Sequence, residues 1–138
     1  MAVIVLGAGP PARGAHPSAL HETPVHRRIF DWIVEAFGEL NVDWHFVGGY
    51  HIEEVVRAYP RINYSFNPDW CDTGSCASLF TAQIDAERTH FVSYGDIVFD
   101  NQAVDQLCQA SGDVVIAVDT TWMDRYERRS LALSLIHI

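Results

Sequence analysis

Five apolar residues in a row, Ala2 to Leu6, end abruptly in Gly7-Ala8-Gly9-Pro10-Pro11. A run so short and so uniformly apolar has no polar face, so it needs cover on both sides. That is the pattern of a strand inside a parallel sheet, with helices above and below it. The rest of the chain keeps the same rhythm. Ile29, Phe30, Ile33, Val34, Phe37 and Leu40 recur at helical spacing between Arg27 and Leu40, and Gly38 weakens the end of that helix. DWHFV at 43–47 reads as a second strand, closed by Gly48-Gly49. Ile52, Val55, Val56 and Tyr59 form the face of a short helix stopped by Pro60. INYSF at 62–66 and HFVSY at 90–94 are further strands, a helix is expected over 75–84, and another over 102–110. DVVIAV at 113–118 reads as a fifth strand. Strand and helix in alternation mean an α/β fold with a mostly parallel sheet, and right-handed crossovers put helices on both faces.

Composition narrows the function. The hydrophobic fraction of 49% is too high for a disordered chain, and 138 residues suffice for one core. No apolar run approaches the ~20 residues of a membrane span. The amino terminus has no basic stretch ahead of its apolar run, so it does not read as a signal peptide, and the expected location is cytoplasmic. Eighteen acidic residues face nine basic ones, a net charge of −9 that repels a nucleic-acid backbone. All nine basic residues are Arg, so mechanisms that need a lysine are excluded. Cys71, Cys76 and Cys108 are an odd number at spacing that fits no zinc site, as expected of reduced thiols. His16, His21 and His26 recur every five residues, which shares no helix face, and Pro17 and Pro24 interrupt the run.

In an open α/β sheet, ligands bind beyond the carboxyl ends of the strands. The segments expected there are 7–25, 48–51, 67–75, 95–100 and 119 onward. Gly7 and Gly9 stand directly after a strand, where backbone N–H groups can approach a phosphate closely. Gly7, Gly9 and Ala12 also match the dinucleotide fingerprint G-x-G-x-x-A. That motif needs a helix to begin within it and an acidic residue after the second strand. Here Pro10-Pro11 and a long loop follow, and the second strand ends in Gly-Gly-Tyr. Gly95-Asp96 is read either as a site or as a plain turn, and Asp119 either as a metal ligand or as a helix cap. Trp32, Trp44 and Trp122 read as core or rim aromatics, whereas Trp70, inside a polar loop, is a candidate to line a pocket.

The stretch LGAGPPARG resembles the signature loop L-A-A-G-x-G-x-R-L of the sugar-phosphate nucleotidyltransferase family. Ala8, Gly9 and Arg13 match, and Pro11 replaces the second glycine. Pro17-Ser18-Ala19-Leu20 corresponds to the family's P-K-x-L, with Ser18 in the lysine position. Gly48-Gly49-Tyr50 is similar to the G-Y that ends the family's second strand. Asn67-Pro68, Thr73-Gly74-Ser75 and Ser78-Leu79 are similar to N-P…T-N-N-x-x-S-L of choline-phosphate cytidylyltransferase-like members. Tyr94-Gly95-Asp96-Ile97-Val98-Phe99 resembles G-D-V/I-x-F. The resemblance covers about residues 2 to 119.

It implies a three-layer, Rossmann-like sheet of the nucleotide-diphospho-sugar transferase type. The implied activity is transfer of a nucleotidyl group from a nucleoside triphosphate, CTP favoured, to a phosphorylated small metabolite, with release of pyrophosphate. Arg13 and Asp96 are the implied catalytic residues. Gly7, Ala8, Gly9, Ser18, Gly48, Thr73, Gly74, Ser75 and Ser78 are the implied nucleotide contacts, and Asp96 with Asp119 the implied Mg²⁺ ligands. Arg27 and Arg28 are the cations available to stand in for the missing lysine. A non-catalytic nucleotide-binding or regulatory module and an NAD-dependent oxidoreductase are the alternatives. Residues 1–130 are expected to be the N-terminal part of the transferase domain. Residues 131–138 are expected to be a non-native tail, because LSLIHI resembles a translated library-preparation adapter. Arg125, Arg128 and Arg129 are expected on a solvated face or against substrate phosphate.

Overall fold

β1 (Ala2–Gly7) alternates its side chains between two separate cores, as a strand with two covered faces must. Val3 and Val5 enter one cluster, with Phe30, Ile33 and Phe37. Ile4 and Leu6 enter the other, with Val47 and Ala82. β2 (Asp43–Gly48) and β3 (Asn63–Phe66) extend the sheet on one side of β1, and β4 (His90–Tyr94) pairs on the other. All three pairings are parallel, giving the order β3-β2-β1-β4. The fold is α/β and Rossmann-like. A computed structural model describes residues 1–121. Trp122, Arg125, Arg128, Arg129, the boundary after residue 130 and the apolar tail lie outside the described residues.

Helices cover both faces. α1 (Ile29–Ala36) supplies Phe30, Ile33 and Ala36 to the first core, and α2 (Ile52–Ala58) supplies Val55. α3 (Ser75–Thr81) lies on the opposite face, with Leu79 against Ile4, Leu6 and Val47. α1 is shorter than the expected 27–40. Its start is late because residues 21–29 fold back on themselves. The Thr23 N–H bonds the Arg27 carbonyl at 2.8 Å and the Ile29 N–H bonds the His21 carbonyl at 3.0 Å, so Arg28 is extended (ψ 151°). Its end is early because Gly38 takes a left-handed φ of +54°. The loop after β1 contains a 3-10 turn, Ser18–Leu20, which buries Ala19.

The chain divides into two compact units, Met1–Val104 and Asp105–Ile138, and α4 (Asn101–Gln109) contains the boundary. In the second unit the expected strand at 113–118 is not formed among the described residues. Val114, Ile116 and Val118 are exposed there. Their β-branched side chains favour a strand, but a strand exists only with a ladder partner and a face to pack. No helix among the described residues is long and apolar enough to cross a membrane.

Candidate functional site

The chain winds from β1 through α1 and α2 to β3 on one side of the sheet. It then returns through α3 on the other face to place β4 beside β1. The strand order therefore reverses between β1 and β4, and the loops beyond their carboxyl ends separate to opposite faces. A cleft of about 200 Å³ lies there. This is where an open α/β sheet binds ligands.

Three segments build it. The first is the turn leaving β1, with Gly7, Ala8, Gly9 and Pro10 on its wall. A Cβ on Gly7 would collide with the Phe46 ring, so glycine there lets the strand end pack closely. Gly9 has nothing within 4 Å of where a Cβ would stand, so its backbone faces open space. The second segment is the polar loop 67–75 and the start of α3, contributing Trp70, Thr73, Ser75 and Ser78. The third is the end of β4, with Tyr94, Gly95 and Asp96. Ser18 completes the lining from the 3-10 turn.

Asn67 organises the second segment. It is 3% exposed, and its amide donates to Thr73 Oγ1 at 2.9 Å and to Ser78 Oγ at 3.0 Å. Its Oδ1 accepts the Asp69 N–H at 3.0 Å, and its own N–H bonds the Gly48 carbonyl at 2.9 Å. One buried side chain thus ties the loop to β2 and to α3. Ser75 Oγ and Tyr94 Oη are 3.2 Å apart, joining α3 to β4 across the cleft.

The turn after β1 is fixed as firmly. The Tyr50 N–H bonds the Ala8 carbonyl at 2.8 Å, and the Gly95 N–H bonds the Leu6 carbonyl at 2.8 Å. Further out, Tyr50 Oη donates to the Ala15 carbonyl at 3.1 Å, and His16 Nδ1 lies 2.7 Å from Glu54 Oε2. The long loop is therefore latched to α2 and to the turn before it.

The cleft gathers eight of the implied positions: Gly7, Ala8, Gly9 and Ser18, then Thr73, Ser75, Ser78 and Asp96. Within the first unit, Gly48, Gly74 and Arg13 stand elsewhere. Gly48 ends β2 with its Cα against the Ile52 side chain, where a Cβ would overlap Ile52. Gly74 caps α3 and faces open space. Arg13 is exposed on the long loop and forms no ion pair among the described residues. Asp119 belongs to the second unit, where its Oδ1 accepts from both the N–H and the hydroxyl of Thr121 at 2.9 Å. That is the local turn-forming use of an aspartate.

Among the described residues no cationic side chain lines the cleft. Arg27 is held by Glu35 and lies 4.7 Å from the centre of the Trp32 ring, and Arg28 lies over Tyr59. Neither is among the residues that line the cleft with Ser18. The dinucleotide arrangement is also missing its helix: nothing helical follows Gly9 until Ser18. Tyr94 was not singled out in the sequence, although it precedes Gly95-Asp96 and a parallel pairing with Leu6 puts both on one face.

Asp96 is the carboxylate on the cleft wall. Among the described residues no group of three or more His, Cys, Asp or Glu side chains is placed to hold a metal ion. A single carboxylate fits Mg²⁺, which takes one or two carboxylates and completes its shell with phosphate oxygens and water. It does not fit a cation that needs a cage made wholly of protein.

No family model matches the sequence. Among curated proteins the chain is similar to the CTP:phosphoglutamine cytidylyltransferase of Campylobacter jejuni, at 25% identity over 114 residues. The alignment takes in 75% of this chain and 45% of that protein. The chain thus spans about half the length of the curated relative it matches. The similarity is a distant one, to a nucleotidyltransferase.

Proposed function

We propose that the cleft binds a nucleoside triphosphate, CTP by preference, and that the protein transfers its nucleotidyl group to a phosphorylated small metabolite. The carrying observation is the convergence of the glycine turn, the hydroxyl-rich loop and Asp96 at the point where the strand order reverses. The distant similarity to a CTP-dependent cytidylyltransferase supports the nucleotide and the class of acceptor.

The chemistry asks little covalent work of the protein. An oxygen of the acceptor phosphate attacks the α-phosphorus in line, the bond to the β-phosphate oxygen breaks, and pyrophosphate leaves. The attacking oxygen is already deprotonated, so no general base is needed. Positioning and charge neutralisation carry the rate. The backbone of Gly7 to Gly9 lines the path of the phosphates with no side chain larger than a methyl group. Arg13, on the long loop outside the cleft wall and in no ion pair among the described residues, is the residue that the resemblance assigns to the β- and γ-phosphates, a task its planar fork suits. Asp96 would hold Mg²⁺, which when bound neutralises charge on the phosphates.

A second reading has its own observation. Ser18 stands on the cleft wall where the family it resembles has a lysine, and among the described residues no cation lines the cleft beside it. A site that binds nucleotide without turning it over fits that substitution. Pyrophosphate release from CTP and Mg²⁺, tested against a panel of phosphorylated amino acids, amides, polyols and sugars, separates the two. Release with one acceptor, raised further by Ser18→Arg, supports a transferase. Binding of CTP with no release from any acceptor, and none gained by Ser18→Arg, supports the module.

A further inference from the structure

The site as described accounts for phosphates and metal but leaves Trp70 without a task. Its indole lines the cleft, half-buried. The side chain is seated on Gly49 so closely that a Cβ there would stand 2.5 Å from Trp70 Cγ and 2.6 Å from its Cβ. The Tyr50 ring braces it edge-on, with centroids 5.6 Å apart and planes at 75°. Tyr50 is itself bonded to Ala8 and Ala15, so the indole is held by the same residue that fixes the glycine turn.

We infer that Trp70 is the platform on which the nucleobase stacks, and that it contributes selectively to binding of the nucleoside part of the ligand. The inference rests on the proposed nucleotide-binding function. An indole face carries negative charge density, so it disfavours phosphate oxygens and favours a flat, polarisable ring. A rigid, half-buried aromatic on a cleft wall is the usual means of holding a base. A small donor stands in the same wall. Asn67 spends both amide protons on Thr73 and Ser78, and Thr73 passes its own proton to the Asp69 carbonyl at 2.7 Å. Ser78 accepts from Asn67, which leaves its hydroxyl proton for an acceptor such as a ring nitrogen or carbonyl of a base.

The test compares CTP with inorganic tripolyphosphate, which offers the same phosphates and no base. Equilibrium binding of both, with Mg²⁺ present, is measured by calorimetry on the full chain, for wild type, Trp70→Leu and Trp70→Phe. Leucine keeps apolar bulk over Gly49 and removes the π face, and phenylalanine restores one. Trp70→Leu is expected to weaken CTP at least tenfold and tripolyphosphate by less than twofold, with Trp70→Phe recovering most of the CTP affinity. Equal loss of both ligands in Trp70→Leu, or no loss of either, overturns the inference and leaves the proposed function standing. Absence of CTP binding by wild type overturns both together.

Discussion

Gly49 and Asn67 show how much of this cleft rests on single residues. A Cβ at Gly49 would sit 2.7 Å from the Ala8 carbonyl oxygen as well as against Trp70. The carbonyl is backbone and cannot swing away, so the glycine turn itself has to move. Gly49→Ala is expected to lower stability by about 1–3 kcal/mol, the usual range for overpacking, and to weaken CTP binding at the same time. Thermal melting and calorimetry read the two effects. Asn67 braces the site from behind the residues that line the cleft. Asn67→Ala strands the Asp69 N–H and removes two bonds to α3 and the loop, which is expected to cost about 1–3 kcal/mol in urea unfolding. Both residues were visible in the sequence, one as part of Gly-Gly-Tyr and one as Asn-Pro. Their tasks were not, because they depend on contacts between segments: Gly49 with Ala8 and Trp70, and Asn67 with Gly48 and Ser78.

At the scale of elements, strands and helices with a covered face were legible and the rest was not. β1 to β4 and α1 to α4 stand where periodicity puts them, to within a few residues at the ends. The misreadings have one physical cause. Arg28 is held extended by a fold-back that no periodicity encodes. Residues 113–118 have strand composition and form no strand among the described residues. Local pattern reports what a segment prefers, and a partner decides whether the preference is used. Two predictions belong here. Phe30 on α1 meets Trp44, Phe46 and Tyr59 at centroid distances of 5.7, 6.0 and 4.6 Å. Phe30→Ala is expected to cost about 3–5 kcal/mol in chemical denaturation. In β2, burial pushes the His45 imidazole below its ordinary pKa, and its Nε2 lies 2.8 Å from Ser65 Oγ. The native state therefore resists a proton that the unfolded chain accepts near pH ~6.5. Stability from this residue is present above that pH and falls as the pH drops through it. Thermal melts between pH 7.5 and 5.5 are expected to fall less steeply in His45→Gln than in wild type.

For the whole molecule, the order β3-β2-β1-β4 does the decisive work. It brings a glycine turn, a hydroxyl-rich loop and Asp96 to one cleft from positions as far apart in sequence as Gly7 and Asp96. The sequence supplied the candidates because each follows a strand. It could not rank them, since Gly48 and Gly74 follow strands or open helices just as well and yet serve packing and capping. The net charge of −9 makes the cleft's own balance important. With no cation among the described residues that line it, the proposed binding of a triphosphate would draw on backbone N–H groups, Arg13 and a divalent ion.

The most direct test of this account is a thermal-shift titration of wild type and Asp96→Asn with CTP, each with and without Mg²⁺. A ligand at 100 times its Kd adds ~2.7 kcal/mol to stability, a shift of several degrees for a domain of this size. The account predicts a CTP shift in wild type that requires Mg²⁺ and is lost in Asp96→Asn. A CTP shift of equal size in both proteins, or one indifferent to Mg²⁺, would contradict it.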